Sequence, residues 1–151
     1  MNLTRKVLAS VAALAASFAT VQVIAEAPSQ AAVSCSGSVT YSKAVPASNP
    51  VAELIIYYNS TNGGTNSACL YRRGAAYGQP GWTEVQIVRC RETSKGGACT
   101  RTAESGVDGN IYSYYAGPRG VTGTVNNCVS AWGEVQWNGT RYPVASGPVG
   151  C

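Results

Sequence analysis

The sequence contains no histidine. That removes the commonest general base and the commonest metal ligand from the chemistry open to it. A serine nucleophile would find no imidazole beside it. No C-x-x-C pair is present, so the six cysteines do not read as a zinc site. Beyond residue 31 no run is long and apolar enough to cross a membrane. No stretch there shows a capped helical pattern either. Charge is sparse in the same region: nine basic and six acidic residues give a net +3. The charges are scattered, which argues against a nucleic-acid partner. A small positive excess suits weak attraction to an anionic wall polymer or surface.

What is present begins with an export signal. Arg5 and Lys6 form a charged start, and residues 7–24 are an apolar run diluted by Ser10, Ser17, Thr20 and Gln22. Small residues follow, and Ser29 and Ala31 occupy the two positions that matter for cleavage. Cleavage is expected after Ala31, with Ala25 and Ala32 as alternatives. The run is too short and diluted to favour a retained anchor. Residues 1–31 are therefore expected to be a secretory signal peptide, and residues 32–151 a single disulfide-rich β-domain. Export places the protein outside the cell, where cysteines are oxidised.

Beyond the signal, Gly, Ser, Thr, Asn, Val and Tyr dominate and turn clusters recur at short spacing. Strands are expected at 36–41, 51–59, 68–72, 83–91, 98–104, 111–115, 129–137 and 140–144. Asn62-Gly63-Gly64, Lys95-Gly96-Gly97 and Asn138-Gly139 mark hairpin turns. The fold class is all-β: a small disulfide-stapled antiparallel β-sandwich or barrel. Cys90 and Cys99 flank the Lys95-Gly96-Gly97 turn and are expected to bridge locally. Cys35, Cys69, Cys128 and Cys151 allow three connectivities. The expected one is Cys35–Cys151, tying the termini, with Cys69–Cys128 tying distant strands.

Several segments carry a resemblance. Ser34-Cys35-Ser36-Gly37 opens the exported region. Residues 53–60 end in Tyr57-Tyr58-Asn59-Ser60 and lead to Asn66-Ser67-Ala68-Cys69. Tyr112-Ser113-Tyr114-Tyr115-Ala116-Gly117-Pro118 precedes Asn127-Cys128-Val129, and the chain ends at Cys151. The exported region resembles the spore-associated protein A family of small secreted actinobacterial proteins. The resemblance implies four shared cysteines, matching Cys35, Cys69, Cys128 and Cys151, with Cys90 and Cys99 an additional pair. It implies association with aerial hyphae or spores. It supplies no catalytic residues and no cofactor.

Candidate sites divide into catalytic and binding groups. Asp108 and Glu134 are the most plausible carboxylate pair for glycoside hydrolysis. A turn role for Asp108 in Asp108-Gly109 and a solvated strand face for Glu134 explain both without catalysis. A Ser–Lys arrangement with Lys43 or Lys95 meets the same objection, since exposed lysines are ordinary. Binding is the stronger reading. Of the nine tyrosines and three tryptophans, half are expected to fill the core, and the exposed remainder, with Arg119, Asn126 and Asn127, is the candidate platform for a sugar or peptide. Tyr112 and Tyr114 are expected on one strand face and Tyr115 on the core face. The strand is expected to stop at Ala116-Gly117-Pro118 and leave Arg119 in an exposed loop. Tyr112, Tyr114, Arg119 and Trp132 are the binding candidates. Arg72-Arg73 and Arg89-x-Arg91 are read as solvated strand faces.

The expected function is non-catalytic binding or assembly at the cell, hyphal or spore surface, with no cofactor and no metal. Its partner would be a cell-wall or spore-surface component or a secreted protein. The alternatives are a small subunit of a larger secreted complex, such as a toxin particle or protease inhibitor, and a wall-active hydrolase. Intact mass of the exported protein should begin near Ala32 and show no alkylatable thiol. Retention of the Met1 segment, or free cysteines in native protein, would contradict export and oxidation.

Overall fold

Alternation decides which way each strand faces. In strand β2 (Ala52–Asn59), Ala52, Leu54 and Ile56 are fully buried, while Glu53, Ile55 and Tyr57 point the other way. The computed structural model describes residues 33–151, so the expected signal peptide lies outside the described residues. Within that range the chain folds into two antiparallel sheets packed face to face, a β-sandwich stapled by three disulfides. Among the described residues no helix is long and apolar enough to cross a membrane.

The first sheet has the order β1-β2-β3-β7, built from β1 (Ser38–Val45), β2, β3 (Thr65–Arg72) and β7 (Tyr115–Thr122). The second has the order β5-β4-β8-β9. It comprises β4 (Gly81–Cys90), β5 (Arg101–Glu104), β8 (Val129–Trp137) and β9 (Thr140–Ala145). Strand β6 (Asp108–Tyr112) pairs with the first half of β4, and β5 pairs with the end of it. Leu54, Ile56, Ala68 and Leu70 from one sheet meet Val85, Ile87, Val129, Ala131 and Val135 from the other. Period-two burial fits an antiparallel sandwich with one face in the core and one in solvent. The β8–β9 hairpin turns at Asn138-Gly139, both with positive φ (48° and 75°), the backbone that a two-residue hairpin demands.

Three expectations fail in instructive ways. The strand expected at 111–115 is broken: β6 ends at Tyr112, and β7 starts at Tyr115 and runs on through Gly117-Pro118. Proline is tolerated because β7 is an edge strand and the register slips there, a bulge opposite Cys69. Gly117 adopts φ +99°, and a Cβ on it would lie 2.7 Å from the Ala68 carbonyl oxygen. Arg119 is consequently a half-buried strand residue, not part of an exposed loop.

The cysteine pairing is the second. Cys90–Cys99 is a local bridge, but the others are Cys35–Cys69 and Cys128–Cys151, not Cys35–Cys151 and Cys69–Cys128. Cys69 sits opposite Ile55 on the outer side of the first sheet. Cys128 precedes β8 in the second sheet, where its backbone N–H and C=O bond to Glu92 and Cys90. Stacked sheets lie about 10 Å apart, too far for a pair that must bring its Cα atoms within about 7 Å. The segment before β1 instead crosses the outer face of the first sheet to Cys69. The C-terminus runs beside β8, with a Val129–Val149 bridge, and delivers Cys151 to Cys128.

Arg72, expected on a solvated face, is fully buried. It ends β3 with its side chain in the core-facing position. Its Nε donates to the Ala76 carbonyl (3.2 Å), and its Nη1 to Thr83 Oγ1 (3.0 Å). Its Nη2 donates to the Gln136 carbonyl (3.3 Å), and its guanidinium carbon lies 5.9 Å from the centre of the Trp137 ring. It has no carboxylate partner among the described residues. Burial pulls its pKa down from the ordinary value, yet a guanidinium stays charged in proteins. The cation is accommodated because its forked donors meet a carbonyl of the turn after β3 and acceptors on β4 and β8 of the second sheet. Arg72→Ala strands those acceptors and opens a void, so it should cost at least about 3 kcal/mol in urea denaturation. Arg72→Lys should recover less than half, because a point cation cannot serve the fork. Near-wild-type stability of the alanine variant would contradict this role.

Candidate functional site

The most developed surface feature lies on the outer side of the first sheet, where β3 and β7 end together. Tyr71 and Tyr115 are register partners there, with ring centres 5.5 Å apart. The turn at Gly74–Ala76 carries Tyr77 to the same place, and the β6–β7 turn brings Tyr114. Those two rings meet edge to face at 5.2 Å. Backbone bonds fasten the two connections together: Arg72 N–H to the Tyr114 carbonyl (2.8 Å) and Gly78 N–H to the Ser113 carbonyl (2.9 Å). The result is an open cleft of about 420 Å³ lined by Tyr71, Arg73, Tyr77, Tyr114 and Tyr115. Tyr77, Tyr114 and Tyr115 remain 57 %, 53 % and 43 % exposed.

Polar contacts fix the floor. The Arg73 guanidinium sits 4.6 Å over the Tyr71 ring and its Nε donates to Glu53 Oε2 at 2.7 Å. Ser42 donates to the other oxygen of Glu53 at 2.6 Å. The Ser42 hydrogen bond, aided by Arg73, holds the Glu53 carboxyl below the usual range against the opposing effect of burial. The hydroxyls of Tyr57 and Tyr71 are 3.0 Å apart. Burial, then the bond to Tyr57, pushes the Tyr71 hydroxyl well up, so it stays neutral. The rings are thus preset. Rigid aromatics with polar tips lose little entropy on binding.

The four expected binding residues do not converge. Tyr114 lies in this cleft. Tyr112 packs against the core and donates its hydroxyl to Asp108 Oδ1 at 2.8 Å. That bond, first among its causes, raises the Tyr112 pKa. Arg119 belongs to the same interior cluster: its Nη2 is 3.3 Å from the Val107 carbonyl and 3.7 Å from Asp108 Oδ1. Trp132 lies on the outer face of the other sheet, 37 % exposed. Tyr115, expected in the core, is an exposed cleft residue. Sequence reading missed Tyr71, Arg73 and Tyr77. The available signal was the alternation Tyr71-Arg72-Arg73, which places Tyr71 and Arg73 on one side and Arg72 on the other.

The carboxylates and lysines weighed as catalytic candidates are also separated. Asp108 faces the sandwich interior, where its Oδ2 accepts the Gly117 N–H at 2.6 Å, so its role is not the turn expected of it. Glu134 faces outward from β8 and pairs with Arg141 at 3.4 Å. The two carboxylates therefore occupy opposite faces of one sheet and cannot flank a bond between them. Lys43 and Lys95 are exposed. Cys90, Glu92 and Cys99 bring three ligand-type atoms within 4.8 Å, but both sulfurs are engaged in their disulfide. The described residues make a small β-rich domain without an obvious catalytic or metal site.

Glu53 generates a pH prediction. Its folded pKa is lowered, so its contribution to stability is present above the ordinary value and disappears as pH falls through the folded value. Stability should therefore drop as pH falls below about 4.5. In Glu53→Gln that part of the fall should be missing, at a cost on the order of 1 kcal/mol near neutrality. Parallel pH–stability curves for the two proteins would contradict the arrangement.

Comparison with protein-family models, with curated proteins and with solved structures finds no match to this chain.

Proposed function

We propose that this chain is an exported, non-catalytic β-domain that acts at the cell, hyphal or spore surface by binding. The observation that carries the reading is the tyrosine cleft. Three partly exposed tyrosines and an ion-paired arginine converge on one pocket, held by backbone bonds between two connections. Aromatic rings with hydroxyl tips suit hydroxylated, partly apolar ligands, and Tyr and Arg are enriched where proteins bind. The export signal, the oxidised cysteines and the resemblance to the spore-associated protein A family support a surface component as the ligand. The small positive charge supports an anionic wall. In this reading the chain makes and breaks no bonds, and needs no cofactor.

Tyr114 tests it. Its ring is exposed in a turn, so Tyr114→Ala should leave thermal stability within about 0.5 kcal/mol. Sedimentation with purified hyphal and spore walls should weaken about tenfold, the loss of one anchor ring. Tyr114→Phe, which keeps the ring, should lose less. Equal retention on walls by the folded alanine variant would remove the cleft from the account.

A further inference from the structure

The outer face of the second sheet carries a different aromatic surface. Trp82 on β4 and Trp132 on β8 both point outward, 36 % and 37 % exposed. Trp132 stands opposite Gln86 and donates its indole N–H to the Gln86 side-chain oxygen at 2.9 Å, which fixes the ring. Trp82 lies against Gly109 of the neighbouring strand. A Cβ on Gly109 would come within 3.0 Å of the Trp82 ring, so the missing side chain is what lets the indole lie there. Four β4 positions separate Trp82 from Gln86, so the two indoles stand roughly 14 Å apart along the strands.

Between them, Glu84 and Glu134 face each other across the β4–β8 pair. Like charges directly opposite are unfavourable. Arg141 compensates Glu134, at 3.4 Å. Glu84 has no basic partner among the described residues. A chain that is basic overall therefore presents, between two fixed indoles, an uncompensated negative charge.

We infer that this face binds an amino-sugar polymer, with free amines, as an extended strand. The flat C–H faces of its sugars stack on Trp82 and Trp132 while an ammonium between them meets Glu84. Tryptophan is the best aromatic partner for a cation, and the carboxylate adds a charge-assisted hydrogen bond. The span between the rings selects an oligomer over a single sugar. The site is independent of the tyrosine cleft, which lies on the outer face of the opposite sheet.

The test is titration of the oxidised, full-length exported protein with oligomers of glucosamine and with N-acetylglucosamine oligomers of equal length. Binding is read by tryptophan fluorescence and calorimetry. The glucosamine oligomer should bind more tightly. Trp132→Ala should weaken it about tenfold, the usual scale for losing an aromatic anchor. Glu84→Gln should abolish most of the preference for the free amine while keeping the rings. Val39→Ala, an exposed change on β1, should bind as wild type. If Trp82→Ala fails to fold, the Trp132 and Glu84 variants carry the test. No binding by the wild-type protein, equal binding of both oligomers, or binding unchanged in folded Trp132→Ala would each overturn the inference.

Discussion

Three arginines carry polar contacts from one sheet to the other, and the sandwich depends on them. Arg72 reaches from β3 to Thr83 and to the Gln136 carbonyl. Arg89 reaches from β4 to the Thr122 carbonyl of β7 at 3.0 Å. Arg119 reaches from β7 toward Val107 and Asp108. Many of the apolar residues between the sheets are small, Ala and Val beside a few Leu and Ile. Such a core supplies limited area, so the long guanidinium arms add reach that methyl groups lack. They also set registration: a forked donor meets its carbonyls in one arrangement, whereas apolar contacts slide.

That constraint shapes the candidate surfaces. Arg72 holds the end of β3 inward, and the next residue, Arg73, is thereby turned outward over Tyr71. The same guanidinium holds the Ala76 carbonyl, so the turn that presents Tyr77 is anchored from beneath. The tyrosine cleft is a consequence of how the interior is tied. The tryptophan face owes its form to a glycine on β6 and to a carboxylate pair on β4 and β8. The two outer faces differ in chemistry: phenols around an internally paired arginine on one, indoles around a free carboxylate on the other.

Much of the sheet framework was legible in the chain. Residues 129–137 alternate cleanly and form β8 with those bounds; the Asn138-Gly139 hairpin followed from turn chemistry. The 51–59 and 83–91 expectations fall within two residues of β2 and β4. What failed depended on neighbours distant in sequence. Gly117-Pro118 reads locally as a stop, and only its place on an edge strand makes it a bulge. Arg72 reads as surface, because an isolated sequence does not show carbonyls from another sheet arriving around it. The disulfides failed for the same reason: pairing depends on which layer each cysteine occupies. Tyr114 was among the candidates read from the sequence and lines the cleft, while Tyr71 and Tyr77 beside it come from β3 and the turn after it and share no local motif with it.

The layered placement of the disulfides has a mechanical consequence. Each bridge lies within one sheet or at its end, and none links the two sheets. Tension applied at the N-terminus passes at Cys35 directly into Cys69 in the centre of the first sheet. The chain between them, a sequence separation of 34 that includes β1 and β2, is bypassed. At the other end, load entering at Cys151 passes to Cys128 and bypasses β8 and β9. A molecule pulled by its ends, as one tethered between two surfaces would be, cannot pay out those strands as extra length. The force falls instead on residues 69–128 and on the arginine contacts between sheets, so the domain should yield by separation of its layers before its terminal hairpins unravel.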